Sequence, residues 1–207
     1  MKKIILDLCG GTGAWSKPYK DAGYDVRVLT LPDNDIMNWE KGDMTEIAYL
    51  VQDSKIYGIL AAPPCTMFSF ARTNAKNPRD LREGMKTIEQ CLYIINECQF
   101  RIKSDTQKKP PLKFWAIENP YGMLNWFLGE PKLIFNPYDY GDNYKKKTCV
   151  WGNFNLPKKN PVKCDKPKFD KLASKDIHPE MFGKLTRTER RAITPQGFAK
   201  AFFRANQ

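Results

Sequence analysis

Residues 3–13 read KIILDLCGGTG. An apolar run interrupted only by Asp7 ends in a turn that holds Gly10, Gly11 and Gly13. Lys3 to Leu8 reads as a buried strand. The glycines let the backbone turn sharply and approach a ligand. Ala14 to Ala22 then reads as a helix. Strand, glycine turn and helix open an α/β unit, and the pattern continues down the chain. Further strands are expected at YDVRVLTL (24–31), YGILAA (57–62), LKFWAIENP (112–120), KLIFNPYDY (132–140) and KKTCVWGNF (146–154). Leu81, Met85, Ile88, Leu92 and Ile95 recur at three- and four-residue spacing, which predicts a helix from Pro78 to about Arg101. TPQGFAKAFFRAN (194–206) predicts a closing helix with Thr194 as N-cap and Pro195 at its first position. A mostly parallel sheet flanked by helices follows, in one domain of 207 residues.

The glycine turn is neither G-x-G-x-x-G, since position 16 is serine, nor a Walker A loop, since no Gly-Lys-Ser/Thr follows. Asp7 beside it suits an amino or hydroxyl group better than a pyrophosphate. A nucleoside such as S-adenosylmethionine fits that chemistry, and a purely structural turn remains the alternative.

Composition narrows the class. Apolar residues make up 42% and charged residues 28%, as in a soluble globular protein. No apolar run is long enough to span a membrane, and MKKIILDLCGG is too short and too soon broken by Asp7 for a secretory signal. The six cysteines form no Cys-x-x-Cys pair, and His178 is the lone histidine, so no metal site is expected. Such cysteines suit a reducing cytoplasm, with Cys91 and Cys98 as core thiols. The net charge of +11 favours a polyanionic partner.

The third strand runs into Pro63-Pro64-Cys65. Open α/β sheets bind substrates at the carboxyl ends of their strands. A cysteine held there by prolines is either an inert core thiol or a nucleophile. Glu118 closes the apolar run 114–117, where burial can raise its pKa and make it a proton donor.

In that order and at those distances, DLCGGTG, PPCTMFS and ENP resemble the motifs of the cytosine-C5 DNA methyltransferases. RAITPQGFAKAFF resembles the family's last motif. The likeness covers about residues 3–152 and 190–204. It implies a Rossmann-like class I fold and S-adenosylmethionine as cofactor. It also implies a cytosine in DNA as substrate, flipped out or single-stranded. By that resemblance Cys65 is the nucleophile toward cytosine C6, and Glu118 grips the N3 edge and protonates it, with Arg72 beside them. Asp7, Cys9, Gly10, Gly11, Gly13, Thr30, Asp43 and Pro63 fall to the cofactor. Pro64, Ser69, Asn119 and Lys147 fall to the substrate. A compact enzyme of this style suits a phage, acting as a monomer.

Three departures are visible. The second strand ends in Thr30-Leu31, where the family carries an acid for the ribose, with Asp33 and Asp35 just beyond. Lys145, Lys146 and Lys147 stand where the family has Gln-x-Arg-x-Arg. Only residues 152–193 remain for target recognition, a basic stretch at whose start Trp151 and Phe154 read equally as stacking groups or as core. From 151 to 194 there are 11 Lys and Arg against 5 Asp and Glu. Lysines there would grip phosphate without reading sequence. Two alternatives stay open: a relative that modifies a cytosine nucleotide, and a silent nucleic-acid-binding protein on the same scaffold.

Overall fold

A computed structural model describes residues 2–38, 45–52, 55–70, 72, 75–100, 112–164, 183 and 187–207. Asp43 and most of 165–186 lie outside the described residues. The strands are β1 (Ile4–Leu8), β2 (Asp25–Leu29), β3 (Ile56–Ala61), β4 (Phe114–Pro120), β5 (Leu133–Phe135) and β6 (Thr148–Asn153). They form one sheet in the order β2-β1-β3-β4-β6-β5. The first four run parallel, and β6 is antiparallel to both of its neighbours. The helices are α1 (Lys17–Asp21), α2 (Thr45–Gln52), α3 (Leu81–Phe100), α4 (Asn125–Leu128), α5 (Arg187–Ala192) and α6 (Gln196–Ala205). This is the Rossmann-like α/β arrangement expected, a mostly parallel sheet flanked by helices. Among the described residues no helix is long and apolar enough to cross a membrane.

All five residues of β1 are buried, Asp7 included. Alternation along the strand divides them between two faces. Leu6 and Leu8 join Ile59, Ile117 and the α3 residues Cys91, Ile94, Ile95 and Cys98. Cys91 and Cys98 are thus core thiols, as expected. Ile5 joins Leu60, Ala116, Trp15, Phe198 and Phe202 on the other face. Phe198 stacks on Phe135 with ring centroids 4.0 Å apart, and Phe202 meets Trp15 edge-on at 5.4 Å. Each of these α6 rings is fully buried, worth about 2–3 kcal/mol by transfer. They lock the last helix beside the first turn of the chain.

Several boundaries differ from the sequence expectation. The first helix starts at Lys17, because residues 11–16 are spent on the turn. The stretch 132–140 is strand only at Leu133–Phe135. It then becomes a 3-10 turn at Pro137–Tyr140, where Asn136 and Asp139 form a capping box. The closing helix has Pro195 as N-cap, and Thr194 makes no cap. The cap comes from across the chain instead, as Gly197 N–H donates to Asp142 Oδ2 at 2.8 Å. Helices α2, α4 and α5 carry too few turns for their periodicity to stand out.

Candidate active site

The carboxyl ends of β1, β3 and β4 open into a cleft of about 910 Å³. The glycine turn, the Pro-Pro-Cys loop, Glu118, the lysines ahead of β6 and residues 191–194 ahead of α6 all line it. Segments far apart in the chain thus meet because parallel strands end on one side of the sheet.

On the β1 side the wall is backbone. Cys9 takes φ 55°, and its N–H donates to Leu29 O at 2.7 Å. Gly10 sits where a Cβ would lie 2.5 Å from Asp7 Cγ, so only glycine fits over the carboxylate. Gly11 and Gly13 both have positive φ. Gly13 does not line the cleft; it closes the turn, its N–H donating to Gly10 O at 2.9 Å. Asp7 accepts a hydrogen bond from the Ser16 hydroxyl on Oδ2. Its Oδ1 is buried with no hydrogen bond among the described residues. Burial pushes the Asp7 carboxyl up to about 6, opposed by the Ser16 contacts.

Thr30 and Leu31 line the cleft at the end of β2, and neither Asp33 nor Asp35 does. Asp35 is committed to the following 3-10 turn, accepting from Met37 N–H at 2.9 Å. No described carboxylate therefore takes the place of the ribose-holding acid.

On the other side the wall is ionisable. Cys65 opens a helical turn, its carbonyl accepting from the N–H groups of Phe68 and Ser69 at 3.0 and 2.9 Å. Arg79 clamps that turn, donating to Met67 O and Ser69 O at 2.8 Å each. Met123 N–H donates to Phe68 O, and Gly122 passes so close to that carbonyl that a Cβ would collide with it. Arg79 is a positioning group that the sequence left unmarked, since its partners are carbonyls visible only after folding.

Glu118 is 6% exposed, and its Oε1 accepts no hydrogen bond among the described residues. Lys146 Nζ lies 3.8 Å from that oxygen, a charge contact too long for a hydrogen bond. Burial raises the Glu118 pKa, and Lys146 partly offsets it. Burial also raises Cys65, followed by the Glu118 charge, while Lys146 and Arg191 act the other way. The lysine that faces the acid is thus Lys146, whereas Lys147 sits over the Tyr121 ring at 3.7 Å on the cleft rim. Glu118 pairs with Val150 and Pro120 with Thr148. Carrying that alternation back two residues brings Lys146 to the same face, a signal present in the sequence once the β4–β6 register is known.

The remaining expected residues are accounted for individually. Pro63, Pro64, Ser69 and Arg72 line the cleft. The Arg72 guanidinium donates to Asn77 O and Pro78 O at 3.0 and 3.2 Å, which holds it along the rim. Asn119 is buried and does not line the cleft. Its Nδ2 donates to Pro63 O at 2.9 Å and ties the cysteine loop to β4. Trp151 and Phe154 are core: Trp151 Nε1 donates to Gly129 O, and Phe154 packs on Phe202. Residues 155–164 do not line the cleft, whereas 191–194 do. Asn160 and Val162 N–H groups donate to Asp139 O and Tyr138 O, which straps that segment beside the 3-10 turn.

No family model matches the chain, and no curated protein matches it. Among solved structures it is similar to a triple mutant of DNMT2 from Spodoptera frugiperda, at 14% identity and a TM-score of 0.39. That match covers 80% of this chain, which spans 56% of the DNMT2 chain.

Proposed function

We propose that this chain transfers a methyl group from S-adenosylmethionine to C5 of cytosine in DNA. The observation that carries the reading is the convergence of Cys65 and Glu118, from adjacent parallel strands, on the cleft that the glycine turn also lines. The motif order supports it independently.

The residues fit the cofactor. Asp7 Oδ1 is a buried acceptor with no hydrogen bond among the described residues, and the side-chain-free Gly10 lies directly over it. Asp7, Cys9, Gly10, Gly11 and Thr30 would hold the nucleoside and its amino acid end. S-adenosylmethionine supplies an electrophilic methyl group when bound.

Cys65 Sγ would attack cytosine C6, and the C5=C6 electron pair would move toward C5 as Glu118 delivers its proton to N3. C5, so activated, would accept the methyl group that the sulfonium gives up on becoming a neutral thioether, and would release its proton to solvent. Cys65 leaves as the double bond re-forms, and N3 returns its proton to Glu118. The electrostatics favour this order. Burial raises the Glu118 pKa, which favours the protonated form that donates, and in that neutral form it would no longer oppose the thiolate. Lys146 and Arg191 act against the burial that raises the Cys65 thiol. Asn119 and Arg79 keep the loop in place, so the thiol is positioned before substrate arrives.

DNA carrying 5-fluorocytosine tests the reading, because fluorine blocks the final elimination. A cofactor-dependent adduct that survives denaturing electrophoresis and disappears in Cys65→Ala is expected. Cofactor binding without any adduct, or an adduct that persists in Cys65→Ala, overturns it. Thr30 in place of an acid at the end of β2 favours a second reading, a silent nucleic-acid binder. Absence of cofactor binding by calorimetry is its signature.

A further inference from the structure

Three aromatic side chains at the cleft mouth have no part in the chemistry above. Phe70 follows the cysteine turn, Tyr121 follows β4 and Trp126 lies on α4. They are 49%, 39% and 69% exposed. The bridge between Ser69 and Gly122 brings the first two segments together. Phe70 then lies 6.2 Å from Tyr121 and 6.3 Å from Trp126, centroid to centroid, with the rings tilted rather than packed flat. Core packing does not explain them. Leu124 and Leu128 join the core beneath α4, and Phe127, though half-exposed, meets the buried Phe68 ring at 6.0 Å. A contiguous exposed aromatic patch marks a binding surface.

The surroundings say what binds there. Tyr121 itself lines the cleft, so the patch continues directly from it. The cleft carries Arg72, Lys145, Lys146, Lys147 and Arg191, and its only acids among the described residues, Asp7 and Glu118, are buried. Basic groups that follow a backbone, alternating with aromatic faces that stack bases, are how proteins hold single strands. Paired bases in a duplex do not present their faces to such rings.

We propose that Phe70 and Trp126, backed by Tyr121 with one ring face covered by Lys147, form a stacking platform for unpaired bases of single-stranded DNA beside the cleft. The substrate is then a single strand or a locally melted one. This rests on the reading of the cleft as a cytosine site, but its test does not depend on the chemistry. Binding of a fluorescent oligothymidylate, which lacks cytosine, is measured by anisotropy against a duplex of equal length. Wild-type protein is compared with Phe70→Ala, Trp126→Ala and Trp126→Phe. Each alanine variant is expected to weaken single-strand binding about tenfold, the scale of one lost base stack, and Trp126→Phe to stay within about threefold. Duplex binding should be weaker and should change little. Trp126 is exposed, so an unchanged thermal midpoint verifies folding. Unchanged oligothymidylate affinity in both alanine variants overturns the proposal. So does a wild-type dimer that Trp126→Ala turns into a monomer, because the patch would then be a self-association surface. Loss of catalytic trapping with intact platform binding would count against the methyl-transfer reading and leave the platform standing.

Discussion

The two walls of the cleft resist change for different reasons. At the end of β1 the ligand would meet backbone: Cys9 in a left-handed conformation, Gly10 pressed onto Asp7, and a turn closed by Gly13. At the ends of β3 and β4 it would meet Cys65 and Glu118, both raised by burial, with the Lys146 cation acting against each rise. The first wall is a matter of shape and the second of charge. Substitutions on the first should act on binding and stability at any pH. Those on the second should act on rate and its pH dependence.

The sharpest way to break the contrast is Gly10→Ala. The added Cβ must displace the Asp7 carboxylate, at about 3 kcal/mol or more of stability, the upper range for overpacking. Calorimetry should show cofactor affinity reduced at least about tenfold, and normal binding would show that this wall is not the cofactor's.

Asp7 is the exception, a titrating group within the wall of shape. Its carboxyl is fully buried and sits at about 6, against 3.8 ordinarily. The folded chain holds this proton more tightly than the unfolded chain does. The stabilisation is complete below 3.8 and is lost as pH rises through about 6. Relative to Asp7→Asn, the native protein should lose about 3 kcal/mol across that window. Denaturant titrations at several pH values read this directly, and parallel pH curves for the two proteins would contradict it.

On the wall of charge, Lys146→Ala removes the cation nearest Glu118. Cys65 and Glu118 should both move further up. The limb of the rate profile that reports thiolate formation then shifts to higher pH, and turnover near pH 7 falls about 10- to 100-fold. Lys146→Arg should restore much of it. A loss of equal size at every pH would mean that Lys146 only packs.

The smallest effect is expected from Asn119→Ala, which leaves Pro63 O without its donor. About 2 kcal/mol of stability should go, measurable as a lower urea midpoint. Cofactor affinity should stay near normal, since the tether belongs to the cysteine loop.

Local chemistry made much of this readable in advance. The strand in KIILDLCGGTG, the thiol behind two prolines and the acid ending an apolar run each announce themselves through residue type and period. Thr194 shows where that reading stops. It has the side chain of an N-cap, yet the helix starts after Pro195 and takes its cap from Asp142, more than fifty residues away. The lysines teach the same lesson. Residues 145–147 are chemically alike, and only the antiparallel register of β4 and β6 turns Lys146 toward Glu118 and leaves Lys147 on the rim.

The sequence by itself determined the main strands and long helices, their alternation and the residue types available at the strand ends, because strand period, glycine turns and proline stops are local properties. Tertiary structure alone decided which of those residues meet. It buried Trp151 and Phe154, set Asn119 and Arg79 to hold the cysteine loop, and joined Phe70, Tyr121 and Trp126 into one exposed face. Those outcomes depend on sheet order and register, which bring together segments whose separation along the chain carries no record of their contact.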